Sequence, residues 1–598
     1  MKTTIKFGLL TAACLGMLSC NDSYLDIKPE TTIQKGDFFK TESDMEMYVL
    51  NLYDFRAADF YEADATTDNA STTGNKEIKN MMLGNVTAAN TTTGWDWDQL
   101  RKVNFLLENI AGSNLSEAKK KHYEGLGRYF RARFYAEKVQ RFSDVPWVDK
   151  VISEKDEASL FGPRNKREEV VAKIMEDFAF AAANVETAKV AGKVNRWVVL
   201  QEYSRFALYE GTYRKYHTYL NLEKTVQEFL TKAYQTSEEI MTKGGFSIHN
   251  TGKPEADYLS LYNSSSLENN PEVILGRMYA TNIINRSDWP GMFGSYEYYP
   301  LRDMLQSYLM KDGSVFTSKQ GYETMGFVDE FKNRDPRLAQ TYAAPGWELI
   351  YVSTYSQGPG IYIQQMTKNF SGYHQIKGFL NYKEQDTRFD MDIPLYRYAE
   401  VLLNFAEAKA ELGLANQADL DRSVNLLRRR AGMPDMPITP ALDPKMARDY
   451  SNVTAGNKSL ILEIRRERRV ELAFEGFRFN DLMRWHAGKL LEKKPQGIYF
   501  SGLGNHDMTG DGVPDVKLID QSQSIPEVRE KNSLGVPLRY FRVGKFGHDV
   551  SFFLSEGNKG YIDVVDKVGE FEQPKYYYRP VPQNDVNLNP NLKQIFNW

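Results

Sequence analysis

Apolar residues recur at helical spacing over two long stretches of this chain, and the stretch between them lacks that spacing. The first predicts helices over about 42–56, 97–111, 116–141, 166–184, 196–218 and 224–242, and the second over 395–413, 416–431 and 458–487. Leu395, Ala399, Leu402, Ala406 and Ala410 line one helical face, and Gly413 stands where a C-terminal cap belongs. Residues 246–392 are instead broken by Gly, Pro and turn residues around short β-prone runs such as Val273-Ile274-Leu275, and 490–598 are again irregular. Three helical segments carry small residues four apart: Ala132 and Ala136, Ala207 and Gly211, Ala406 and Ala410. Such pairs let a neighbouring helix approach closely, as in tetratricopeptide repeats, although ordinary helices with alanine at a contact give the same pattern. The expected fold is mostly α, a tetratricopeptide-like helical-repeat scaffold with an irregular, loop-rich, minor-β region packed over it.

The N-terminus reads as an export signal. Lys2 and Lys6 precede an apolar run from Phe7 to Leu18, then Ser19 and Cys20, with Met17 where such signals prefer Leu. The run is too short to span a bilayer core of about 30 Å. Cleavage before Cys20 leaves a cysteine that can carry acyl chains, so the mature protein is expected to be a lipid-anchored lipoprotein. The divisions expected are 1–19 signal peptide, 20–245 N-terminal helical region, 246–394 loop-rich ligand-binding region, 395–490 C-terminal helical region and 491–598 irregular C-terminal region.

Composition narrows the chemistry. Cys14 and Cys20 are the only cysteines, so the mature chain has no disulfide, zinc–thiolate site or thiol nucleophile. The formal charge of −4 over 598 residues argues against nucleic acid as a partner. The seven histidines form no HExxH motif, and no G-x-S-x-G, P-loop or Rossmann fingerprint occurs. The paired carboxylates of a glycosidase are a tertiary feature that spacing does not reveal. Glu467, Arg468, Arg469, Glu471, Glu475 and Arg478 fall at helical spacings that allow paired charges. Acids interleaved with arginine are expected to have depressed pKa values, which suits a structural lattice better than acid–base catalysis.

Several ordered blocks resemble the SusD/RagB family of outer-membrane nutrient-binding lipoproteins. They include Leu25-Asp26-Ile27-Lys28-Pro29, Phe38-Phe39-Lys40-Thr41, Arg128 to Ala132, Phe142-Ser143-Asp144-Val145-Pro146, Tyr398 to Ala408, Arg428 to Pro434, Glu467 to Arg478, and Asn589 to Gln594 with the closing Trp598. The resemblance implies a tetratricopeptide-like body, a surface glycan site, a SusC-like TonB-dependent transporter as partner, and a lipid-anchored place on the outer membrane. It implies no catalysis; some RagB-like members serve peptides instead.

Sugar rings stack on flat aromatics while polar side chains take their hydroxyls. Three loop regions offer that combination: Trp95 with Asp96; Arg286, Asp288 and Trp289 with Tyr296 and Tyr298; and Trp347 with Tyr351 and Tyr355. The small polar segment from Asp64 to Asn75 adds Asp68 and Asn69. Each aromatic has a competing role as a core or loop-pinning residue, which is favoured for Trp97 and Trp147. Asp507, Thr509, Asp511, Val513 and Asp515 match the first half of a calcium loop with Gly512 at the turn, but Leu518 stands at the position of the bidentate acid; a tight Asp-Gly turn explains the run equally well. Calcium is thus the one candidate cofactor.

Overall fold

The computed structural model describes residues 38–55, 60–280, 298–350, 357–367, 369–379, 381 and 391–598. The long helices are α1 (Glu42–Leu50), α2 (Glu77–Met82), α3 (Asp98–Asn109), α4 (Glu117–Phe142), α5 (Arg167–Asn184), α6 (Arg196–Tyr216), α7 (Val226–Lys243), α8 (Tyr398–Glu411), α9 (Val424–Arg430), α10 (Lys458–Glu471) and α11 (Arg478–Arg484). Their starts follow side-chain chemistry. Thr41 and Asp44 form a reciprocal capping box at α1, and the Asn195 side chain accepts from the Trp197 and Val198 amides at α6. Gly413 lies at φ +70° and its amide donates to the Ala410 carbonyl, closing α8 as expected.

The helices stack in sequence: α4 packs on α5, α5 on α6, α6 on α7, α7 on α8, and α8 on α10. The small residues lie at these contacts. A Cβ on Gly211 would come within 2.8 Å of Leu230, so α6 and α7 meet where only glycine fits. Ala132, Ala207, Ala406 and Ala410 are buried. Every residue of α8 except Lys409 is buried, which makes it the centre of the stack.

Two expected helices are broken. The 416–431 segment divides into Gln417–Asp421 and α9 at Ser423, whose hydroxyl donates to the Asp419 carbonyl. The 458–487 segment divides into α10 and α11, with Phe474 at φ +61° and Gly476 at φ +81°. There the Phe474 amide donates to Asp64, 410 residues away in sequence, in place of a helical carbonyl.

Strand Val273–Arg277 pairs antiparallel with Ile393–Arg397, which ties the start of the loop-rich stretch to the entrance of α8. The C-terminal stretch holds more β structure than its sequence suggests. Gly504–His506, Val516–Asp520, Arg539–Gly544 and Phe552–Phe553 form one sheet, antiparallel at the first pair and parallel at the others. Its Val516, Leu518, Phe541 and Val543 share a core with Tyr298, Tyr342 and Phe474. The tail then returns to the first helices: Asn589 donates to the Gly162 carbonyl, Arg164 to that of Lys593, and Tyr578 stacks on Phe596 at 3.9 Å.

Candidate functional site

Helix α10 buries nearly all its charges. Glu471 receives Arg430 at 2.6 and 2.7 Å and both Arg397 and Arg337 at 3.1 Å. Burial alone raises its pKa, but the three guanidiniums pull it down to about 2. Glu475 receives Arg397 and Lys377, each at 2.7 Å, and Tyr262 at 2.8 Å; burial opposes its charge, yet these partners hold its pKa below the usual range. Neither carboxyl is a proton donor near neutrality.

Two arginines of this region reach segment 64–71. Arg478 grips Asp68 with two bonds of 2.7 Å, and Arg469 donates to the Asn69 side-chain oxygen at 2.7 Å and to the Asp68 carbonyl at 3.0 Å. Asp64 accepts from Asn69 and from Phe474. Burial pushes the Asp68 carboxyl up, and Arg469 and Arg478 outweigh that, holding it at about 2. Asp68 and Asn69 are therefore buried members of the lattice, fixing the backbone of a polar segment that hydrophobic packing alone would not hold. Ala70–Ser71 pair with Tyr299–Pro300, and the Leu301 amide donates to the Asn69 carbonyl.

Between this segment, α2 and residues 490–496 and 565–569 lies a cavity of about 370 Å³. Its walls combine apolar groups such as Met82, Leu490 and Val568 with the lysines at 79, 493, 494 and 567. The segment from Asp64 was the only sequence sign of it. The lysines come from separate parts of the chain and carry no common motif.

The described flanks of the candidate loops are fastened by hydrogen bonds and close packing. Tyr298 donates to Gln375 at 3.0 Å, and Gln375 to the Tyr61 carbonyl. Gly378, at φ +86°, lies so near Tyr61 that a Cβ would come within 2.7 Å of its ring. Asp392 accepts from the amides of Leu267 and Tyr279, each at 2.8 Å. Asn381 accepts from the Ile350 amide and donates to the Glu348 carbonyl.

Arg286, Asp288, Trp289, Tyr296, Tyr351, Tyr355 and Cys20 lie outside the described residues. Two other aromatics are core groups, not open platforms. Trp95 is 8% exposed, edge-on to Phe142 at 4.8 Å, because the chain turns inward just before α3. Tyr298 is 3% exposed, with its ring against Phe474. Asp96 is exposed and accepts from the Asp98 amide, a turn bond that leaves its second oxygen to solvent. Trp347 is half-buried against Tyr362 and Phe379. Trp97 precedes α3 against Phe134 and Trp95, and Trp147 stacks on Tyr135 at 4.3 Å.

The Asp-rich run is a hairpin turn between Gly504–His506 and Val516–Asp520. Asp507 accepts from the amides of Thr509, Gly510 and Gly512, Asp511 from that of Val513, and Asp515 from those of Met508 and Thr509. The acids face backbone donors instead of one shared centre, and among the described residues no group of three or more His, Cys, Asp or Glu is placed to hold a metal. For Asp507, Thr509, Asp511, Val513 and Asp515, the residues of the calcium-loop expectation, the described geometry is that of a tight Asp-Gly turn held by side-chain to backbone hydrogen bonds.

The molecule is thus a helical-repeat scaffold with a cavity beside segment 64–71 and hydrogen-bonded stems at its candidate loops. A model described as the SusD family matches residues 260–598, and the chain belongs to the SusD family. The SusD-like protein P38 of Formosa agariphila is 24% identical over 512 residues, covering 80% of this chain and 91% of that protein. A solved SusD-like carbohydrate binding protein of Bacteroides fragilis is similar at 22% identity with a TM-score of 0.64, over 93% of this chain and 100% of its own. Another solved structure, described as holding a xylogluco-oligosaccharide, is similar at 16% identity with a TM-score of 0.56, over 92% of this chain and 98% of its own.

Proposed function

We propose that this protein is a cell-surface lipoprotein, anchored through Cys20, that binds a glycan and delivers it to a SusC-like TonB-dependent transporter of the outer membrane. Family membership over more than half the chain carries the reading. The solved relatives described as carbohydrate binding and as holding a xylogluco-oligosaccharide support glycan as the ligand class. The hydrogen-bonded loop stems suit a loop-built surface on a rigid scaffold. The role is binding without catalysis, in keeping with Glu471, Glu475 and Asp68 being held ionised among arginines.

Calorimetric titration of the mature protein with a panel of neutral and charged oligosaccharides tests the ligand, with chromatography of the same mixtures after long incubation. Saturable binding with unchanged chain lengths is the expected result. Shortened products would replace this reading with a glycosidase, and a blank panel would remove the glycan altogether. Co-purification with a TonB-dependent barrel from outer membranes tests the partner.

A further inference from the structure

We propose that the cavity beside segment 64–71 takes an anionic sugar residue, a uronate or a sulfate ester, with Lys79 and Lys567 as its charge partners. The proposal rests on the glycan-binding reading and narrows its ligand class.

The argument is a count of charges. Six charged residues line the cavity: Asp68, Asp303 and the lysines at 79, 493, 494 and 567. Four already have partners of opposite sign. Asp68 is held by Arg478 at 2.7 Å, and Asp303 by Arg469 at 2.8 Å and Lys445 at 2.7 Å. Lys493 lies 2.6 Å from Asp449, and Lys494 lies 2.7 Å from Asp563. Lys79 donates only to the Thr72 carbonyl, and neither it nor Lys567 has an acidic partner among the described residues. Asp566 and Glu570 flank Lys567 in sequence but do not line the cavity.

Lys79 is half-buried, and that burial lowers its pKa. A cation withdrawn from water without a counter-ion is a standing electrostatic cost that an anion entering the cavity would relieve. The remaining wall chemistry suits a sugar. Met82, Leu490, Val565 and Val568 offer an apolar face for ring C–H groups, and Gln306 and Gln496 offer hydroxyl partners. A volume of about 370 Å³ lies in the range of small-ligand sites.

The test titrates the mature protein with oligogalacturonate, a sulfated galactan oligosaccharide and neutral xylogluco-oligosaccharide, at low and high salt. Lys79→Met and Lys567→Gln are titrated alongside, with melting temperatures recorded. The expected result is binding of one or both anionic probes that weakens with salt and falls about ten-fold or more in each folded variant, with neutral probes unaffected. The two anionic arms separate carboxylate from sulfate. Lys567 is exposed, so its variant keeps the test valid if Lys79→Met fails to fold. Neutral probes that bind as well as anionic ones, or anionic binding indifferent to both variants, would overturn the inference and leave the glycan reading standing. No binding in any arm would overturn both.

Discussion

Asp68 separates a ligand contact from a structural ion, and Asp68→Ala decides between them. In the structure its carboxylate is 6% exposed and carries two bonds from Arg478, so the alanine leaves buried guanidinium charge without its counter-ion. Breaking such a pair from one side costs about 3–5 kcal/mol. The lower end applies here. Arg478 keeps the Tyr450 hydroxyl at 2.9 Å, and Arg469 keeps Asn69, Asp303 and Ser307. The expectation is therefore a loss of about 3 kcal/mol, and a smaller loss for Asp68→Asn, which retains one acceptor. Denaturant unfolding followed by both tryptophan fluorescence and far-UV circular dichroism measures it, because coincident curves are needed before a single free energy is defined for a chain this long. Glycan affinity in the folded fraction should change little, since no oxygen of Asp68 is free of the arginines. A stability change under about 1 kcal/mol, together with a ten-fold loss of glycan affinity, would refute the structural account and return Asp68 to the ligand surface.

Four further outcomes are expected. Cys20→Ala should move the protein from the membrane to the soluble fraction, and retention after a high-salt wash would argue against the lipid anchor. Trp289→Ala should weaken glycan binding about ten-fold with an unchanged melting temperature, whereas Trp95→Ala should cost about 3–5 kcal/mol of stability and leave affinity alone; the reverse pattern would exchange their roles. Gly378→Ala should destabilise by about 2 kcal/mol or more in thermal unfolding, because φ +86° and the Tyr61 ring 2.7 Å from the new Cβ both oppose it. Acid should unfold the protein in a defined window. Glu471 has a folded pKa of about 2 against an ordinary 4.5, so its contribution, on the order of 3 kcal/mol, is complete above pH 4.5 and is lost as pH falls toward 2. A melting temperature that stays flat from pH 5 to pH 2.5 would contradict that coupling.

The helices were legible because an amphipathic stripe is a local property, so α4, α5, α6 and α8 fall close to their expected ranges. Their interruptions were not, because the causes are distant: Phe474 leaves the helix to give its amide to Asp64. The C-terminal sheet was missed for a related reason. Two of its pairings are parallel, so no simple hairpin signal marks them, and its strands are at most six residues long, too short for alternation to stand out. For the site, sequence singled out segment 64–75 but gave no sign that Asp68 and Asn69 are buried. A polar run reads as surface, yet arginines at 469 and 478 make it interior. Trp95 and Tyr298 show the same limit, since an aromatic beside a turn looks alike whether its ring faces water or core.

The buried ions of residues 463–478 take on a further meaning when their partners are traced. Glu471 and Glu475 hold Arg397 at the end of one strand, and Arg397 and Arg430 hold Glu272 beside its pairing strand. Glu475 holds Lys377, Glu467 holds Arg337, and Arg469 and Arg478 hold segment 64–71. These segments, which flank candidate loops or form part of the cavity wall, are therefore joined directly or through one arginine to one short stretch of chain. Such a lattice is a weak source of net stability, because desolvating each ion cancels most of the attraction. What it supplies is direction. Apolar contacts would keep these segments near one another while permitting them to slide, whereas a bidentate guanidinium fixes both distance and orientation. A ligand surface assembled from loops depends on the spacing of their stems, and a buried arginine–carboxylate lattice holds that spacing more tightly than an oily core of the same volume.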